Sequence, residues 1–243
     1  MSVLCITAGS VLAAATWTNA EGDGLWSTSN NWNTTSGLPS SGDSTFIKYN
    51  NTGLTGPVFD ASASQTIRNL SLEAGTSEAG DVLTMSMTGG TLTLSYFLRL
   101  GAGGSDGGAV QLDMSGASAI HALSNEGLIR VGSGYTGQIN MSDNALILAL
   151  DMTIDASNGS SVDLSDDAAI YLVGDRTAMV LEEIAAGGLT SQGGTVNWVG
   201  YTTAVDPNFG LITIVTSIPE PATMGLFVMV GGGLLWIRNR SRI

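Results

Sequence analysis

Oxygen-bearing side chains recur at fixed places in three segments of the chain. Asp113, Asn140 and Asp163 each stand between two apolar residues, in Leu112-Asp113-Met114, Ile139-Asn140-Met141 and Val162-Asp163-Leu164. Ser86 fills the same place in Met85-Ser86-Met87. Asp143 and Asp166 follow three residues after Asn140 and Asp163. If these segments are stacked strands, the polar residues lie about 4.8 Å apart in two columns. Like charges at that spacing repel, although water and salt screen them. A hard cation with oxygen ligands would relieve the repulsion, so Ca²⁺ is the one candidate cofactor. The Gly-Gly-x-Gly-x-Asp repeat of calcium-binding coils is missing. The reading is a solvated acidic face, and no metal site is assigned.

Catalytic chemistry finds little to work with. His121 is the only histidine, which excludes histidine-rich zinc sites. No Gly-x-Ser-x-Gly elbow supplies an activated serine, so His121 reads as a surface or packing residue. A glycosidase needs two carboxylates at a fixed separation, which is a property of the fold and not of the sequence. The sharpest enzyme hypothesis is a polysaccharide lyase, for which Lys48, Arg68, Arg99, Arg130 and Arg176 are the basic candidates. Arg99 and Arg130 sit in the matching contexts Leu98-Arg99-Leu100-Gly101 and Ile129-Arg130-Val131-Gly132. Matching contexts point to a repeat-derived ladder more than to a unique catalytic group. No catalytic residue is therefore assigned, and the chain reads as a non-enzyme.

The elements that would carry these residues come from an internal repeat. The copies are residues 85–93, 112–120, 139–147 and 162–170, with third residues Met87, Met114, Met141 and Leu164 at steps of 27, 27 and 23. Each copy opens on apolar residues two apart, the mark of a strand with one face buried. Thr88, Ser115, Ser142 or Ser165 follows, and then Gly89-Gly90, Gly116-Ala117, Asp143-Asn144 or Asp166-Asp167, residues suited to tight or left-handed turns. A second strand ends near Thr93, Ile120, Ile147 and Ile170, and a third apolar segment recurs at 97–101, 128–132 and 152–154. Three strands per repeat predict an all-β, right-handed parallel β-helix whose coils bury their apolar faces by stacking. The alternative is an antiparallel β-sandwich. Residues 67–72 read as an earlier coil, 195–199 as a late one, and 182–186 as a short helix.

Residues 17–49 carry Trp17, Trp26 and Trp32 and read as the cover over the first coil. This stretch resembles the opening segment of secreted bacterial β-helix proteins with autotransporter-like repeats. Trp26 and Trp32 are also the candidates for a glycan-stacking platform, and core capping is the preferred reading of the two.

Charged residues are only 12% of the chain and glycines number 33. Over 16–218, five basic residues face twenty acidic ones. That balance repels phosphate backbones, so nucleic acid is not expected as a partner. The single cysteine, Cys5, lies in a segment expected to be removed, which leaves no thiol chemistry.

The two ends read as addresses. Residues 1–15 hold an apolar run closing on Ala13-Ala14-Ala15, as in a signal peptide, here expected as a short helix removed by signal peptidase. At the other end, Pro219-Glu220-Pro221 precedes an apolar run over 222–237 and then Arg238, Arg240 and Arg242. Sixteen helical residues rise about 24 Å, short of a hydrocarbon core of about 30 Å, so the predicted transmembrane helix makes a poor permanent anchor. Arginines beyond it would hold that end in the cytoplasm. This order of parts, over 218–242, resembles the PEP-CTERM sorting signal of Gram-negative bacteria. The resemblance implies recognition by a membrane-embedded exosortase, removal of the tail, and release or attachment at the cell surface, often together with exopolysaccharide and biofilm. The expected organisation is signal peptide 1–15, cap 16–60, β-helix body 61–217 and sorting signal 218–243. The expected role is an exported surface or matrix component with exopolysaccharide as its candidate partner; the competing classes are a carbohydrate-binding module and a polysaccharide lyase.

Overall fold

The computed structural model describes residues 13–34, 37–48, 56–60, 64–75, 80–102, 108–124, 126–192 and 199–218. The chain winds as a parallel β-solenoid of about six turns. Successive strands fall in turn on three sheets. The first sheet stacks Ala14–Thr16, Ser44–Lys48, Asn69–Glu73, Phe97–Leu100, Leu128–Val131 and Asp151–Ile154. The second stacks Val58–Phe59, Val82–Met87, Ala109–Met114, Gly137–Met141, Ser161–Leu164 and Leu189–Ser191. The third stacks Gln65–Ile67, Thr91–Leu94, Ala119–Ala122, Leu146–Ala149 and Ala169–Val173. Parallel pairing throughout these stacks replaces the β-sandwich alternative, because each strand meets the equivalent strand of the next coil and not its sequence neighbour.

Period two does the sorting. In the second sheet, Met85 and Met87 stack on Leu112 and Met114, then Ile139 and Met141, then Val162 and Leu164, all buried. Leu92, Ile120, Ile147 and Ile170 form the matching column of the third sheet, and Leu98, Ile129 and Met152 that of the first. Each such side chain contributes roughly 1.5–3 kcal/mol by leaving water, but only with a neighbouring coil above or below it.

The register corrects one detail of the repeat. Ile120 pairs with Leu92, so the first copy is offset by one from Thr91 onward. Its turn, Gly89-Gly90, is a residue shorter than the turns after Ser115, Ser142 and Ser165. In those longer turns Gly116, Asp143 and Asp166 all take positive φ, between 54° and 60°. The glycines after the arginine strands have a harder reason. A side chain on Gly101 would meet the Tyr135 carbonyl at 2.2 Å, and one on Gly132 would meet the Ser160 hydroxyl at 2.2 Å. Both also have positive φ, so two demands converge on glycine.

The ends depart from the repeat. Ser44–Lys48 and Val58–Phe59, inside the segment 16–60 read as cap, already join the coil sheets. Ala14–Thr16 pairs in parallel with Ser44–Lys48, and Ala15 is fully buried. A cut after Ala15 would thus remove two of that strand's three residues. At the other end the solenoid stops at Leu189–Ser191. The helix Thr177–Ala186 includes the predicted 182–186, and Gly187 in left-handed conformation closes it. Val199–Asp206 and Gly210–Ser217 form an antiparallel hairpin laid on Ala169–Val173. Of the late coil expected at 195–199, only Val199 lies among the described residues, at the start of that hairpin. No helix among the described residues is long and apolar enough to cross a membrane.

Candidate functional site

Both polar columns form as the spacing predicts. Asn140 pairs with Asp113 on one side and Asp163 on the other, facing outward from the second sheet. The amide Nδ2 of Asn140 donates to Asp113 Oδ1 at 2.8 Å, and Gln111 Nε2 donates to both Asp113 oxygens at 2.8 and 3.0 Å. Thr190 Oγ1 donates to Asp163 Oδ1 at 2.7 Å. In the turn column, the Gly116 N–H donates to Asp143 Oδ2 at 2.9 Å, and the Asp143 N–H reaches Asp166 Oδ2 at 3.5 Å. The repulsion anticipated between stacked carboxylates is thus reduced by an amide between them and by donors on neighbouring rungs. A polar groove of about 370 Å³ runs along this face, lined by Gln138, Asn140, Ser161, Asp163 and Thr190 among others.

Trp26 and Trp32 are 1% and 4% exposed. Trp32 packs edge-on to Trp26 and Trp17, at centroid distances of 4.5 and 5.1 Å, and Trp26 packs edge-on to Phe59 at 5.3 Å. Trp26 Nε1 donates to Gln65 Oε1 and Trp32 Nε1 to the Trp26 carbonyl. Sugar stacking needs an open ring face, so this geometry corrects the platform reading and fits the capping one. The buried Asn31 amide ties the cover together, donating to Asp23 Oδ1 and the Leu25 carbonyl and accepting from the Glu21 N–H. Donation from the Thr28 hydroxyl, and then from the Leu25 N–H and Asn31, holds Asp23 below its usual carboxylate range.

His121 sits half-exposed on the third sheet beside Thr93 and Leu148. Burial lowers its pKa, which favours a neutral ring.

The basic residues converge. Lys48, Arg99 and Arg130 lie on strands of the first sheet, and Arg68 immediately precedes one of them. Arg176 reaches the same side, its Nη2 donating to the Leu150 carbonyl at 2.9 Å. Lys48 is held by Glu73 at 2.8 Å, and Arg176 lies 3.9 Å from Asp151. Arg99 and Arg130 are directly opposite each other on neighbouring strands, as their matching contexts predicted. Arg99 lies over the Phe97 ring at 4.9 Å and Arg68 over the Tyr96 ring at 5.1 Å. Tyr96, Phe97, Arg99, Glu126, Leu128 and Arg130 line a groove of about 440 Å³. A hydrogen bond to Glu126, and then the charge of that carboxylate, raises the Tyr96 pKa. Tyr96 and Glu126 escaped the sequence reading because they sit in turns, where alternation gives no signal.

The sorting-signal residues Pro219, Glu220, Pro221, Arg238, Arg240 and Arg242 lie outside the described residues, as does Cys5. No family model, curated protein or solved structure matches this chain.

Proposed function

We propose that the protein is an exported structural component of the cell surface or extracellular matrix, delivered by a PEP-CTERM tail and acting as an architectural element without enzymatic activity. In this reading the solenoid coils right-handedly, as parallel crossovers overwhelmingly do. Signal peptidase and an exosortase process the chain, and exopolysaccharide is its surrounding partner. The observation that carries the reading is the order Pro219-Glu220-Pro221, apolar run, then Arg238, Arg240 and Arg242, shortly after Gly210–Ser217, the last described strand. Ile218, the last described residue before that tail, is 42% exposed. A stack of coils that bury nearly all their apolar columns suits an extended, durable body.

The test is processing with localisation. The full chain with an internal tag is expressed in hosts with and without an exosortase, fractionated and weighed. The expected result is a species trimmed at the start of the chain and near Pro219–Pro221, outside the cell or on its surface, in the exosortase host alone. An untrimmed species in the inner membrane of both hosts makes the tail an anchor and removes the matrix role.

A further inference from the structure

We propose that the outer face of the first sheet is a binding site for a carboxylate-bearing glycan, a chain containing uronic acid residues, with Arg99 and Arg130 as its centre. The inference deepens the matrix reading and rests on it for its biological setting.

Charge segregation is the first observation. The body is strongly acidic, yet its five basic residues all lie on or beside the first sheet. The outward columns of the second sheet carry Asp113 and Asp163 and no basic residue. Such one-sided placement in a chain of net charge −13 makes this face the natural landing place for an anion.

The second observation is the state of the two central arginines. As direct neighbours on parallel strands they stand about 4.8 Å apart at the backbone. No carboxylate among the described residues makes an ion pair with either; the two ion pairs there belong to Lys48 and Arg176. Arg99 Nε is shielded from water and has no hydrogen-bond partner. Glu126, the one carboxylate lining the groove, is engaged by the Tyr96 phenol. Two adjacent guanidinium groups thus lack the acceptor that their planar donor forks match best, which is a carboxylate taken by two N–H groups at once.

The third observation selects a glycan. Tyr96 and Phe97 are half-exposed and wall the groove beside the arginines, offering apolar surface to the C–H face of a sugar ring. The groove continues past Leu128 and Arg130 into a second one of about 530 Å³, lined by Gly132, Ser133, Thr153 and one carboxylate, Asp155. An elongated channel across neighbouring strands suits a chain of sugars better than a single one. The acidic columns of a second copy are the competing source of carboxylates. They are already engaged by Gln111, Asn140, Thr190 and the Gly116 N–H, which leaves them poor occupants.

The test uses the purified full chain in EDTA. Oligomers of galacturonate, glucuronate and mannuronate, and the methyl ester of whichever binds, are titrated by calorimetry into wild type, Arg130→Gln and Phe97→Leu. At least one acid oligomer is expected to bind, with affinity falling as salt rises. Its ester should bind at least about tenfold more weakly, and so should Arg130→Gln, the loss of one charge-assisted pair. Arg130 is exposed, so its variant should melt like wild type, and Phe97→Leu gives a second reading of the groove. Binding of none of the three acids, equal binding of acid and ester, or indifference to Arg130→Gln overturns the site. Self-association in sedimentation without glycan, lost in Arg130→Gln, also overturns it and gives the groove to a second copy. Fractionation reads the address alone and this titration the groove alone, so failure of one is distinguishable from failure of the other.

Discussion

The two ends of the solenoid meet one problem in opposite ways. At the first coil, Trp32 lies edge-on to both Trp17 and Trp26, Trp26 lies edge-on to Phe59, and all three indoles are buried. At the last coil, a backbone device closes the stack: the hairpin Val199–Asp206 and Gly210–Ser217 reverses direction and pairs with Ala169–Val173. That end leaves Tyr201, Val205, Phe209 and Leu211 exposed, Val205 by 81%. One end is sealed by packing of three indoles, and the other by a paired hairpin that buries only Ile212, Thr213 and Val215. Packing fixes the cover to a particular set of residues, whereas pairing accepts many side chains and leaves a new edge. The contrast makes the ends unequal in what a substitution costs.

The largest difference should come from Trp26→Ala. It deletes a 1%-exposed indole that touches Trp32 and Phe59 and removes the donor to Gln65. The expected loss is about 3–5 kcal/mol in urea unfolding of the full chain. A loss below about 1 kcal/mol would mean that the tryptophan cover is not what closes the first coil.

The packed part of the other end is smaller. Val180 is the one fully buried residue of the helix Thr177–Ala186. Val180→Ala removes two methyl groups and should cost roughly 1.5 kcal/mol in the same experiment. A cost equal to that of Trp26→Ala would erase the asymmetry between the ends.

Electrostatics sharpen the contrast next. Burial raises the pKa of Glu183 above its ordinary 4.5, and Glu182 and Asp155 add to the effect while the Ile154 N–H opposes it. A carboxyl raised in the folded state favours folding fully below its unfolded pKa and loses that contribution as pH rises through the folded value. Glu183→Gln keeps an acceptor for Ile154 and cannot ionise. The variant should therefore match wild type below pH 4.5 and gain on it as the pH climbs to neutrality. A pH profile parallel to wild type, measured as midpoint against pH, would show that ionised Glu183 is well solvated there. Asp23 at the tryptophan end shifts the other way, so its contribution is present above its unfolded value and is lost as the pH falls.

These differences also mark where the sequence was legible. Apolar residues two apart, a hydroxyl and a turn pair, repeated at a steady step, made the coil at 85–170 legible, and the parallel pairing of equivalent strands decides against the sandwich that the same alternation permitted. The pairing of Arg99 with Arg130 and of Asn140 with two aspartates followed from the same arithmetic. The one-residue offset at Gly89-Gly90 did not, since turn length is invisible to alternation. The cover was legible from its tryptophans, though their burial excluded the sugar-stacking alternative. The hairpin was not read from the sequence, because Val199–Asp206 carries no buried column that fixes a partner. The arginine groove was half visible: the strands gave Arg99 and Arg130, while Tyr96 and Glu126 come from turns whose side chains only the fold brings together.

The smallest effect on stability belongs to the free edge that the hairpin creates. Val199–Asp206 pairs on one side alone, with Gly210–Ser217, and its outer edge has no neighbouring strand among the described residues. Val205 on that edge strand touches little, so Val205→Lys should alter unfolding by no more than about 0.5 kcal/mol. Association should respond where stability does not. An exposed, apolar edge strand is a template for pairing with other chains, and a lysine there blocks close approach of a second edge. On heating near the midpoint, Val205→Lys should precipitate more slowly than wild type at the same protein concentration, followed by light scattering. The same substitution in the sealed end has no counterpart among the described residues, where no strand edge carries an apolar side chain so open. Equal scattering by the two proteins would mean that the hairpin edge does not drive association, and the two ends would then differ in packing alone.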